Sequence, residues 1–184
     1  GPVADWLQDR GITVTLVPTL GLKTHIRAPS LIRWFRRRRP DVVHVHSGAW
    51  SKAANAARAA GVARVLYTCH GMPDVDTFLE LSTQRIACRL TDNVVAVSSA
   101  VVDYVTNTVG VPREKVRVVL NGIDTEAFRP VGHQCAIRET LGLARSSPVV
   151  AHVARLSYVK NQTLLIDAFA LILREEPDAI LIIA

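Results

Sequence analysis

Apolar residues in this chain follow two alternating rhythms. Short continuous runs, many of them β-branched, occupy residues 12–17, 41–46, 64–69, 93–97, 116–120, 149–153 and 180–184. Their length and continuity are those of strands buried in a parallel sheet. Between them, apolar positions recur at helical spacing over 2–10, 29–39, 51–60, 77–90 and from a cap at Ser98 or Ser99 to 109. After Asn161 the same spacing returns in Leu164, Leu165, Ala168, Phe169 and Ile172. Gly11, Gly61 and Gly110 stop three of the helices and Pro40 a fourth. Strand therefore alternates with helix, which predicts an α/β fold of doubly wound parallel sheets, covered on both faces and joined by right-handed crossovers. The rhythm breaks at 128–133 and again in the polar turn at 144–148. A domain boundary is accordingly expected near Pro130, giving domains 1–130 and 131–184, the second represented by its first βαβ unit.

Composition narrows the class. With 49% hydrophobic and 21% charged residues, 184 residues can bury a real core. The chain starts Gly1-Pro2 and stops on an apolar strand, so it is expected to be an excerpt of a longer protein. The net charge of +6 is local: Lys23, Arg27, Arg33, Arg36, Arg37, Arg38 and Arg39 lie where no acid occurs between Asp9 and Asp41. The remainder is close to neutral, which argues against a nucleic-acid surface. Cys69, Cys88 and Cys135 are odd in number and widely spaced, so neither a disulfide framework nor a zinc site is expected, and reduced thiols suit a cytoplasmic protein. No apolar run approaches the ~18 residues of a membrane span.

Ligands of open parallel sheets sit at the carboxyl ends of the strands. His44 and His46 share a face at one such end, His70-Gly71 follow another strand, and Asn121-Gly122 follow a third. His-x-His can ligate a metal, but no recognisable third and fourth ligand accompany it. The pair is therefore read as a satisfied core His44 with a functional or merely polar His46. Asn121-Gly122 reads as a turn, glycine allowing positive φ. Between the strand at 149–153 and the helix after Asn161 stand two cations, Arg155 and Lys160. A helix amino end flanked by cations outlines an anion site. No Gly-x-Gly-x-x-Gly fingerprint is present, so the fold class brings no dinucleotide with it.

Several segments carry a resemblance. V-A-R-L-S-Y-V-K-N-Q (153–162), P-D-V-V-H-V-H-S (40–47), T-C-H-G-M-P (68–73), V-S-S-A-V-V-D-Y (97–104) and K-V-R-V-V-L-N-G-I-D-T-E-A-F-R-P (115–130) occur in the order found in the retaining glycosyltransferases of family 4. The similarity runs from about residue 11 to 184 and implies the GT-B fold of two Rossmann-like domains. By that resemblance Arg155 and Lys160 hold the diphosphate of a nucleotide sugar. His70 is the catalytic residue in the cleft, near the sugar and acceptor. Asn121 and Gly122 lie at the cleft floor near the hinge, with His46 and Gly71 also in the cleft. It further implies transfer with retention of configuration to a glycan or lipid-linked acceptor, with no cofactor and no obligatory metal. Ala154 and Asn161 depart from the family pattern, which often has Gly at both places.

The family's Gly-rich loop would precede Gly1 and its paired glutamates would follow Ala184, so the excerpt is expected to be inactive alone. Two alternatives stand beside the transferase: a nucleotide-sugar epimerase of the same architecture, and a non-catalytic nucleotide-sugar-binding protein. The stretch with Arg33, Trp34, Phe35 and Arg36 to Arg39 also has two readings. It either docks peripherally on the anionic inner face of a membrane, or packs Leu31, Ile32, Trp34 and Phe35 on the sheet and leaves the arginines in water.

Overall fold

Alternation along β1 (Val42–His46) sets the geometry of the first half: Val43 and Val45 are buried, while Val42, His44 and His46 are exposed. The computed structural model describes residues 2–17, 28–72, 77–129, 136–144 and 146–184. It divides into two compact units, Gly1–Gly122 and Ile123–Ala184. Pro130, the expected boundary, lies outside the described residues, as do Lys23, Arg27 and Cys135.

In the first unit β1, β2 (Arg64–Cys69), β3 (Asn93–Ala96) and β4 (Val116–Val118) form one parallel sheet in that order. Val43 pairs with Val65, and Val94 with both Tyr67 and Val116, so a row of buried side chains runs across one face. After α1 (Pro2–Gln8), the helices α2 (Pro29–Arg38), α3 (Trp50–Ala60) and α4 (Phe78–Arg89) pack in succession, each against the next. The sequential strand order means that the described crossovers all advance in one direction. On α3, the buried Ala53, Ala54, Ala56 and Ala57 let the helix sit close to the sheet. Thr77 and Glu80 close a reciprocal capping box at the start of α4. The helix α5 (Ser99–Asp103), capped by Ser98, widens into a π turn at Tyr104–Val109 that Gly110 ends in the left-handed region.

One expectation needs correction here. Residues 12–17 form no strand: β-branched residues favour extended backbone, but a strand exists only where a neighbour completes its ladder, and none does so among the described residues. Among the described residues, β1 exposes Val42, His44 and His46. The basic stretch packs as its second reading anticipates. Phe35 is buried, Leu31, Ile32 and Trp34 lie against the core, and Arg33 and Arg36 to Arg39 are exposed.

In the second unit β5 (Val149–His152) pairs in parallel with β6 (Ile180–Ile183), and α7 (Gln162–Ile172) makes the crossover. A short helix, α6 (Ala136–Thr140), precedes them. Phe169 and Ala179 are buried between these elements. The protein is thus an α/β structure with parallel sheets. Among the described residues, no helix is long and apolar enough to cross a membrane.

A carboxylate holds the amino edge of the first sheet together. Asp92 Oδ2 accepts from the Val65 N–H and from Arg58 Nη2, each at 2.7 Å, while the Asp92 N–H donates to the Val65 carbonyl. Arg58 also donates to the carbonyls of Leu90, Val62 and Ala63. Four elements are tied through one ion pair. Burial opposes the charge on Asp92, but the Val65 N–H, Arg58 and the more distant Arg64 outweigh it and hold the carboxyl below its ordinary value. A carboxyl depressed by folding stabilises the protein above its unfolded value near pH 4 and ceases to do so as pH falls through the folded value. Asp92→Asn is therefore expected to cost about 1–3 kcal/mol at pH 7. In urea unfolding at a series of pH values, its deficit relative to the parent should shrink below pH 4.

Candidate functional site

The carboxyl edge of the first sheet gathers three imidazoles. The register of β1 on β2 sets His46 beside Thr68, and His70 lies two residues further along on the same face. His46 Nδ1 and His70 Nε2 stand 2.8 Å apart, one ring donating to the other. His44 Nε2 meets Thr68 Oγ1 at 2.7 Å, and its ring centroid lies 4.3 Å from that of His46. His44 is thus satisfied but not a core residue, since strand alternation gives the core to Val43 and Val45. Burial, together with the neighbouring His44 and His70, pushes His46 below the ordinary imidazole value. His46 is accordingly uncharged at neutral pH. Among the described residues, no three His, Cys, Asp or Glu side chains are placed to hold a metal ion.

Next to His70 opens a cavity of ≈ 360 Å³ between the starts of α3 and α4 and the π turn. Its walls include Trp50, Tyr67, Gly71, Glu80, Gln84 and Tyr104. Trp50 stacks on Tyr67 with ring centroids 4.0 Å apart and planes 5° from parallel. The indole N–H donates to Thr91 Oγ1 at 2.9 Å, so this apolar wall leaves no polar atom of Trp50 stranded. Tyr104 donates from its hydroxyl to Gln84 Oε1 at 3.2 Å. Burial and Cys69 raise the Tyr67 phenol above its usual range, so it stays a neutral donor. Trp50, Tyr67, Gln84 and Tyr104 come from four separate elements, and no spacing in the sequence links them.

Asn121 and Gly122 follow β4 at the same carboxyl edge, two strands removed from β2, and both are exposed. The expected turn is absent: Gly122 does not adopt positive φ, and neither there nor at Gly71 would a Cβ meet an atom within 4 Å. Nothing in the fold itself requires these two glycines.

In the second unit Arg155 and Lys160 are both exposed on the connection from β5 to α7. Gln162 Nε2 donates to the Arg155 carbonyl at 3.0 Å, tying that connection to the first turn of the helix. Asn161 caps α7 by accepting from the Leu164 N–H, and it does so at φ 47°, in the left-handed region. That conformation favours Gly or Asn. Two buried polar atoms, His152 Nε2 and Ser157 Oγ, have no hydrogen-bond partner among the described residues.

Residues 3–127 match the sequence model described as Glycosyltransferase Family 4. The chain belongs to glycosyltransferase family 4. Over its whole length this family 4 chain is 29% identical to the UDP-Gal:alpha-D-GlcNAc-diphosphoundecaprenol alpha-1,3-galactosyltransferase of Escherichia coli, covering 51% of that protein. Over 78% of its length it is 30% identical to the putative glycosyltransferase EpsD of Bacillus subtilis, covering 41% of it. The chain thus spans about half the length of the curated relatives it matches. In structure it superposes over its full length on half of Anabaena HepE, solved in complex with UDP-glucose, with a TM-score of 0.78 at 24% identity. At that identity the likeness shows a shared fold, that of half a GT-B glycosyltransferase.

The Asn161 cap yields a direct test. Asn161→Ala loses the cap and places a Cβ-bearing residue without a local hydrogen bond in the left-handed region, an expected cost of about 2 kcal/mol. Asn161→Gly should cost only about 0.5 kcal/mol. Hydrogen exchange at the Leu164 and Leu165 amides would show the first accelerated and the second little changed.

Proposed function

We propose that the protein to which this family 4 chain belongs transfers a sugar from a nucleotide diphosphate sugar to an acceptor hydroxyl with retention of configuration. The observation that carries the reading is Arg155 and Lys160, both exposed on the connection into the capped start of α7. Breaking the bond from the anomeric carbon to the phosphate oxygen leaves the electron pair on the diphosphate. Two cations beside that oxygen stabilise the charge as it develops. The unpartnered Ser157 Oγ, between them in sequence, supplies one further hydrogen-bonding group on the same connection. The acceptor oxygen takes the vacated position on the same face of the sugar, and its proton leaves with the departing phosphate oxygen.

His70 is the catalytic residue of the first unit in this reading. At the mouth of the 360 Å³ cavity, its ring can meet a sugar hydroxyl. Asn121 and Gly122 complete the carboxyl edge. Because Arg155 and Lys160 supply positive charge, the reaction needs neither a cofactor nor an obligatory divalent metal. The family match favours transfer over epimerisation, and the acceptor we favour is a lipid-linked glycan, the class named in the Escherichia coli relative. The unpaired, buried thiols of Cys69 and Cys88 suit the reducing cytoplasm.

The reading is tested by assaying the complete protein with a panel of nucleotide sugars. Arg155→Ala and Lys160→Ala should each lower kcat by about 10²–10³, and a chelator should leave the parental rate within about twofold. Rates unaffected by both substitutions would sink the assignment. Membrane contact has its own measurement. With Phe35 buried and Trp34 turned inward, the five exposed arginines can act on a bilayer only through charge. Any capture of the complete protein on anionic vesicles at low salt should therefore be released near ~1 M, where the Debye length falls to about 3 Å. Neutralising Arg36 to Arg39 should abolish the capture.

A further inference from the structure

Two ring nitrogens 2.8 Å apart, His46 Nδ1 and His70 Nε2, can be bridged by only one proton. Two N–H groups would collide there, and two lone pairs would repel. The tautomer of one ring therefore dictates that of the other. A proton on His46 Nδ1 makes His70 Nε2 an acceptor and places the His70 proton on Nδ1; the reverse arrangement leaves Nδ1 of His70 a lone pair. The His46 ring is itself held. His70 stacks on it at 27° between planes, and His44, anchored to Thr68 Oγ1, packs against it at 4.3 Å between centroids.

We propose that His46 is a positioning residue for His70, fixing its ring orientation and, through the shared proton, its tautomer, so that the remaining nitrogen Nδ1 meets the substrate in one defined hydrogen-bonding state. The inference rests on the reading of His70 as the residue that contacts substrate. The titratable groups facing His46 are His44 on its own strand and His70 from the segment after β2. Both are imidazoles, so neither brings a negative charge to His46. Fixing a histidine through the partner of its second nitrogen is worth about 10–100-fold where the ring binds a metal, and a comparable factor is expected here.

The complete protein is used for the test, with two substitutions. His46→Phe keeps a planar ring but removes the nitrogen. It should lower kcat by about tenfold or more, with KM for the nucleotide sugar little changed. His46→Asn restores an amide near the Nδ1 position without a titrating group. It should recover most of that loss. Long-range proton–nitrogen NMR on histidine-labelled protein at pH 8 should show His70 in a single tautomer in the parent and in a mixture in His46→Phe. That spectrum does not depend on any sugar transfer. An inactive parent with His70 in one tautomer would fault the transferase reading while leaving the pairing intact. Equal rates for His46→Phe and His46→Asn, or a His70 tautomer unchanged in His46→Phe, would overturn the inference.

Discussion

Parallel pairing of β1 with β2 in one register is the constraint on which the first unit rests. Val43 against Val65 and Val45 against Tyr67 put apolar side chains toward the helices, and the same register sets His46 beside Thr68 on the other face. A slip of one residue would exchange the faces, burying imidazoles and exposing valines. The core and the histidine cluster are consequently one decision. The Asp92 clamp works at the amino edge of the same strands, holding β2 to β3 through Val65 and to the end of α3 through Arg58. Stability is concentrated at one edge of the sheet and chemistry at the other. Polar groups at the carboxyl edge can then be left exposed without weakening the valine layer.

Each unit presents its own groups. The carboxyl edge of the first presents imidazoles, amides and a stacked Trp50–Tyr67 wall. The second presents Arg155 and Lys160 at the start of a helix.

Element order was legible from the chain because apolar periodicity and stop signals coincide. Gly61 and Gly110 end their helices at positive φ, as their positions suggested, and the helix boundaries fall within a residue or two. The failures have physical causes. Residues 12–17 have the composition of a strand, but pairing is a property of a neighbour and not of the segment itself. His44 was assigned to the core because an apolar run was taken to be buried on both faces, whereas alternation on an outer strand exposes every second residue. The Asn121-Gly122 dipeptide has turn chemistry that the backbone does not use. Motifs named His46 and His70 as candidates in the first unit, and Arg155 and Lys160 as candidates in the second. The hydrogen bond that joins the first two could not, because it depends on a register that spacing alone does not give. The aromatic wall was beyond reach for the same reason.

The π turn after α5 has a consequence for how this segment can vary. A bond from residue i to i+5 encloses one residue more than an α-helical bond. Tyr104 opens that wider turn and reaches Gln84 across the cavity from it. Loss of one residue between 104 and 109 would let this turn close in α geometry with the segments on either side still in phase. An α turn with no residue lost would instead rotate everything beyond it by about 100° and take the buried Val109 out of its place. The wider turn is therefore the device by which one extra residue is held in this stretch without displacing the wall of the cavity.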